Sequence, residues 1–152
     1  FLIYSLVFFL TKYGGVIMEE FQIWSIWSSN RIGSGLVGIG SILSIWLALR
    51  IAAATRNSDE TNLFAKIMST AFGLIVLAFT WMQLTLVVNT FISTAIALTQ
   101  LKEETGSISS VAEGYLEYVG TTDPVTTPLP ISIAFLAVVG IIILAQIWMP
   151  KK

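Results

Sequence analysis

Residues 33–38, Gly33-Ser34-Gly35-Leu36-Val37-Gly38, have the G-x-G-x-x-G spacing. After a strand and before a soluble helix, that spacing lets backbone N–H groups approach a pyrophosphate. Here the six residues fall inside an uncharged run, 32–49, bracketed by Arg31 and Arg50. The spacing is therefore read as helix contact, not as nucleotide binding. Glu103, Glu104, Glu113, Glu117 and Asp123 are the acids dense enough to attract a hard cation. Nothing in their spacing fixes a ligand geometry, so they read as a solvated face.

The chain has no cysteine and no histidine. That removes thiolate nucleophiles, Cys or His ligation of zinc, iron–sulfur ligation, His-ligated haem and the Ser–His and Cys–His pairs. Gln83, Asn89 and Gln146 are the polar amides in or near the apolar runs. No Asp, Glu, Lys or Arg lies within those runs, although ion-coupled transporters, proton pumps and voltage sensors normally need one. No catalytic residue, cofactor site or metal site is predicted, and an enzyme is not expected.

The elements that position these residues follow from composition. Of 152 residues, 55% are hydrophobic and 11% charged, with a mean hydropathy of +0.83. Soluble domains carry about 25% charged residues, so lipid must cover part of this surface. The expected fold is all-α: an integral membrane protein with three transmembrane helices. Net charge is −1 and no basic run occurs, so no nucleic-acid partner is expected.

Four regions are expected. Residues 1–31 form an N-terminal segment. It begins with Phe1, and Met18-Glu19-Glu20 resembles a natural start, so residues 1–17 are expected to lie upstream of it, to be the tail of a lost helix, or to form a short interfacial helix. Residues 32–104 form a helical hairpin. Segment A spans 32–49 and continues to about Arg56, with Trp24, Trp27 and Trp46 near the headgroups. Asn57-Ser58-Asp59-Glu60 makes the turn, with Ser58 expected to cap segment B. Segment B is uncharged from 67 to 101. At 1.5 Å per residue it is about 50 Å long, against a hydrocarbon core of about 30 Å, so it is expected to extend beyond the bilayer.

Residues 105–130 form a polar, acidic extramembrane loop. Ser110-Val111-Ala112-Glu113 matches a capping box, and Val111, Tyr115, Leu116 and Val119 give the short helix that follows an apolar face ending at Gly120. Residues 131–152 form the C-terminal span, with Pro130 in its first turn and Trp148, Lys151 and Lys152 at its end.

With three spans, the A–B loop and the C-terminus share one side, with Arg50, Arg56, Lys66, Lys151 and Lys152. Lys12, Arg31, Lys102 and most acids fall on the other. The positive-inside rule puts the A–B loop and C-terminus in the cytoplasm and the 105–130 loop outside.

Two sets of residues are expected to meet neighbours. On segment A, Ser34 and Gly38, and Gly40, Ser44 and Ala48, are spaced by four, which lets two helix backbones approach closely in lipid. On segment B, Leu74, Leu77, Trp81, Leu84, Val88, Phe91, Ala95 and Leu98 form a heptad-like stripe. Its outer part, Leu84, Val88, Phe91, Ala95 and Leu98, is expected to face a partner, the competing cover being helices of the same chain. The expected function is a non-catalytic structural or accessory subunit of a multi-subunit membrane complex. Its partners would be the bilayer and other membrane subunits or copies of itself. The alternative is a small homo-oligomeric channel or holin-like pore former, which would turn its Gln83–Asn89–Ser93 side to water.

Overall fold

The computed structural model describes residues 19–149, so the readings made for residues 1–17, Lys151 and Lys152 lie outside the described residues. Four α-helices follow one another: α1 (Glu20–Asn57), α2 (Leu63–Thr105), α3 (Ser110–Val119) and α4 (Pro130–Trp148). No strand occurs among the described residues. Helices α1, α2 and α4 are each long and apolar enough to cross a membrane. This is the pattern of a multi-pass membrane protein. At 43 residues, α2 is about 64 Å long.

Helix α1 starts twelve residues before the uncharged run that marks segment A. A lack of charge is what marks a span, whereas a helix can continue through polar and charged residues, and residues 20–31 hold no proline to break it. The turn after α1 also differs from expectation. Ser58 does not cap α2; its hydroxyl accepts from the Glu60 N–H within the turn. The cap is Asn62, whose Oδ1 accepts from the Ala65 N–H at 2.9 Å. Asp59 and Glu60 therefore stay in the turn, and the first turn of α2 holds no acid. Thr61 closes the turn by donating to the Thr55 carbonyl at 2.6 Å.

The described chain divides into two compact units. One comprises residues up to 29 together with 91–123; the other comprises 30–90 and 124 onwards. In the second unit Ile45, Ala48, Ala52, Val76, Val139, Ile143 and Ile147 form the core. Two glycines mark where α2 and α4 come close. A Cβ added at Gly73 would stand 2.9 Å from Ile143 Cγ2, and one at Gly140 would stand 3.2 Å from Leu77 Cδ1. The Thr55 and Ser69 hydroxyls hydrogen-bond across the α1–α2 hairpin. The Trp148 indole N–H donates to Thr70 Oγ1 at 3.0 Å, and Lys66 Nζ sits 5.6 Å from the Trp148 ring centroid.

The packed line of α2 in this unit is Ser69, Gly73, Val76 and Thr80, all buried. The expected stripe lies one residue away: Leu74, its first member, is 52% exposed, whereas Leu77, its second, packs against the core. Small side chains let helices close on one another, and large apolar ones lose nothing by facing lipid.

In the first unit Ile23, Leu98, Leu101 and Ala112 are buried together, with Trp24, Ala97, Ile108, Tyr115 and Leu116 packed around them. Helix α3 turns Ala112, Tyr115 and Leu116 inward, while Val111, expected on that face, is exposed. Gly120 ends α3 at φ 68°, a left-handed conformation that glycine adopts without a Cβ clash.

Candidate functional site

The polar groups of this chain separate into those satisfied by their own helix, those that hold distant segments together, and a few without a partner. The first group is large. Thr70, Thr80, Thr85 and Thr99 of α2 each donate to the carbonyl four residues back, and Ser44 of α1 does the same to Gly40. A hydroxyl satisfied this way can sit in an apolar setting without a neighbour. The threonines in the later part of α2 therefore do not require water around them.

The second group holds the chain's irregular segments. Asn89 Nδ2 donates to the Val125 carbonyl at 2.8 Å, and the Val125 N–H donates back to Asn89 Oδ1 at 2.9 Å. The amide thus acts as a two-point clamp on the connector that leads into α4. Ser109 is the N-cap of α3: its Oγ accepts from the Ala112 N–H at 3.2 Å. The capping box therefore starts one residue earlier than expected, and its carboxylate comes from α1. Glu20 accepts from the Ser109 N–H at 2.9 Å and from Ser109 Oγ at 2.6 Å. It also accepts from the Trp24 indole N–H at 3.0 Å. Glu20 lies outside the uncharged 32–49 stretch. The Ser109 hydroxyl, the Trp24 N–H and the Ser109 backbone N–H, in that order, hold its carboxyl below the usual glutamate range. Beside it Trp24, Trp27 and Tyr115 stack edge to face with centroids 5.3–6.3 Å apart. Tyr115 OH donates to the Phe91 carbonyl at 3.2 Å. Lys102 pairs with Glu113 at 2.9 Å, an exposed contact.

The third group is small. Among the described residues, Trp27 Nε1, Ser41 Oγ and Gln146 Oε1 are buried without a hydrogen-bond partner. Ser41 lines a groove of about 490 Å³ in the second unit. Its walls come from α1 (Ser34, Gly38), α2 (Gln83, Leu84) and α4 (Ser132, Phe135).

The expected packing residues are thus divided. Ala48 is buried in the core of the second unit. Ser34 and Gly38 line the groove, and a Cβ on Gly38 would meet no described atom within 4 Å. Gly33 and Gly40, seven residues apart and so on one face, are equally open. Ser44, four residues past Gly40, extends that face, its hydroxyl occupied by the Gly40 carbonyl. The outer stripe of segment B is divided too. Leu84 lines the groove, and Leu84, Val88 and Phe91 are half-buried. Ala95 and Leu98 are 1% and 0% exposed. Their own chain covers these two, so they offer no surface to a partner. Leu98 packs with Ile23, Leu101 and Ala112.

Sequence reading missed Gly73, Gly140, Glu20 and Ser41. Ser69-x-x-x-Gly73 is itself a small-residue pair spaced by four and was the available signal for the α2–α4 approach. Glu20 gave none, because its partner Ser109 is 89 residues away. No group of three or more His, Cys, Asp or Glu side chains that could hold a metal occurs among the described residues. Comparison with protein families, with curated proteins and with solved structures finds no match to this chain.

Proposed function

We propose that this protein is a non-catalytic structural or accessory subunit of a membrane assembly, joined to its neighbours through helix packing in the bilayer. The observation that supports the reading is the open Gly33–Gly40 face of α1, where a Cβ added at either glycine would meet no described atom within 4 Å. In lipid, such a face lets a second helix approach to backbone contact, and van der Waals packing then drives association. The A–B turn and C-terminus are assigned to the cytoplasm and the 105–130 loop to the outside, on the distribution of Lys and Arg. The pore-forming alternative is the weaker one: Asn89, at the centre of the polar side it would use, is already engaged at both ends of its amide by Val125.

The test is the mass of the intact particle released from membranes in mild detergent, set against 16.6 kDa for one chain. A larger, defined particle that reverts to a single chain with Gly40→Ile supports the reading. A single chain in the wild type, or an unchanged particle in the variant, overturns it.

A further inference from the structure

The groove in the second unit has a floor and a rim. Ser41, Ile45 and Thr80 are 4–7% exposed and form the floor, whereas Ile42 and Ile131 are about two-thirds or more exposed and form the rim. No charged residue lines it. Its volume falls within the roughly 300–1,000 Å³ typical of small-molecule sites, and it opens at the Pro130 end of α4. Toward the other end, Ala48 of α1, Val76 of α2 and Ile143 of α4 close the same three helices on one another. The cause is local: Gly38 and Ser34 fill little space where larger residues would have sealed the wedge.

The floor carries the informative group. Thr80 donates to Val76 and Ser44 to Gly40, but Ser41 has no hydrogen-bond partner among the described residues. Leaving a buried hydroxyl unmade costs free energy in an apolar setting. Opposite it stands an amide. Thr55 meets Ser69 across the hairpin. Ser41 lies four turns before Thr55 and Gln83 four turns after Ser69, at about 3.6 residues per turn. Both line the groove at one level.

We propose that this groove is a binding site for a neutral lipid. The occupant is an apolar chain that enters from the bilayer between Ile42 and Ile131 and carries an uncharged hydroxyl or ester oxygen to Ser41 and Gln83. A charged headgroup would find no counter-charge here. The inference rests on the helices being membrane spans, but not on any assembly of chains.

The experiment is photolabelling of the purified full chain in maltoside micelles with a diacylglycerol carrying a diazirine in one acyl chain. Crosslinks should be saturable and confined to residues 34–45, 80–87 and 131–135. Unlabelled diacylglycerol should compete at least about tenfold better than phosphatidylcholine, a difference of about 1.4 kcal/mol. Ser41→Ala should weaken binding about two- to tenfold, the loss of one neutral hydrogen bond. Gly38→Leu should abolish saturable labelling by filling the groove, and Ile42→Trp, on the exposed rim, should reduce it without touching the core. Gly33→Leu and Gly40→Ile, at positions that do not line the groove, should leave it unchanged, which separates this site from the association face. Unsaturable labelling spread over the helices, equal competition by phosphatidylcholine, or wild-type binding by Ser41→Ala or by both groove-filling variants would overturn the proposal.

Discussion

The Glu20 carboxylate accepts both the backbone N–H and the hydroxyl of Ser109, 89 residues away in the chain. In a capping box, a glutamate three residues into the helix satisfies the N-cap N–H. Here position 112 is alanine, which must pack inward, and the carboxylate is supplied by another helix. The start of α3 and the start of α1 are thereby tied together in one unit.

This contact predicts a graded response. Ser109→Ala removes the N-cap acceptor and should destabilise the first unit by about 0.5–2 kcal/mol. Glu20→Gln should loosen α3 less, because an amide still accepts from the N–H. Amide exchange across residues 110–116 reports both; unchanged exchange in Ser109→Ala would show that packing alone holds α3.

The same carboxylate gives a pH dependence. Its folded pKa lies below the ordinary value of about 4.3. Its contribution is therefore complete above that value and is lost as pH falls through the lowered folded one. Exchange protection of α3 should fall in that acid window in the wild type and show a shallower fall in Glu20→Gln. Identical profiles would remove Glu20 as the cause.

Asn89 should matter through the connector it clamps. Asn89→Leu leaves the Val125 N–H and carbonyl without their partners, at a cost of about 1–3 kcal/mol where they are sheltered from water. Asn89→Asp keeps the acceptor for the N–H but loses the donor to the carbonyl, and should fall between. Limited proteolysis within residues 121–130 ranks the three chains, and equal cleavage rates would mean the clamp is incidental.

The spans themselves were legible because length and lack of charge suffice to mark them, and Gly120 marked the end of α3. Which faces meet was not. In a soluble protein apolar residues point inward, but in these helices Leu74 faces out and Gly73 faces in. Hydrophobicity is uniform around such a helix, so residue size carries the packing information, and Ser69, Gly73 and Gly140 hold it. Ser41 was hidden for a related reason: its neighbour Ser44 has the same side chain, and only the local geometry decides which hydroxyl finds a carbonyl.

That size rule is testable at Gly73. An added Cβ would stand 2.9 Å from Ile143 Cγ2, a methyl on a stiff β-branched side chain. Gly73→Ala should cost about 1–3 kcal/mol, and Ile143→Leu, which moves the branch away from Cβ, should restore part of it. Gly35→Ala, in open space, is the control and should be neutral or mildly stabilising. Thermal unfolding of the three variants in detergent decides; absence of rescue by Ile143→Leu would place the strain elsewhere.

Association and folding should separate cleanly between two positions. Leu98 is wholly enclosed with Ile23, Leu101 and Ala112 of its own chain. Leu98→Ala should therefore destabilise the first unit by about 2–5 kcal/mol, while chains that remain folded keep their native particle mass. A Cβ at Gly40 meets no described atom within 4 Å, so Gly40→Ile should leave the unfolding temperature nearly unchanged while lowering the particle mass. The two readouts are measured side by side, unfolding by circular dichroism and mass in mild detergent. If Leu98→Ala dissociates the particle without loss of stability, the outer end of α2 is an interface after all. If Gly40→Ile unfolds the chain instead, the open face of α1 is covered from within, and the assembly reading loses its support.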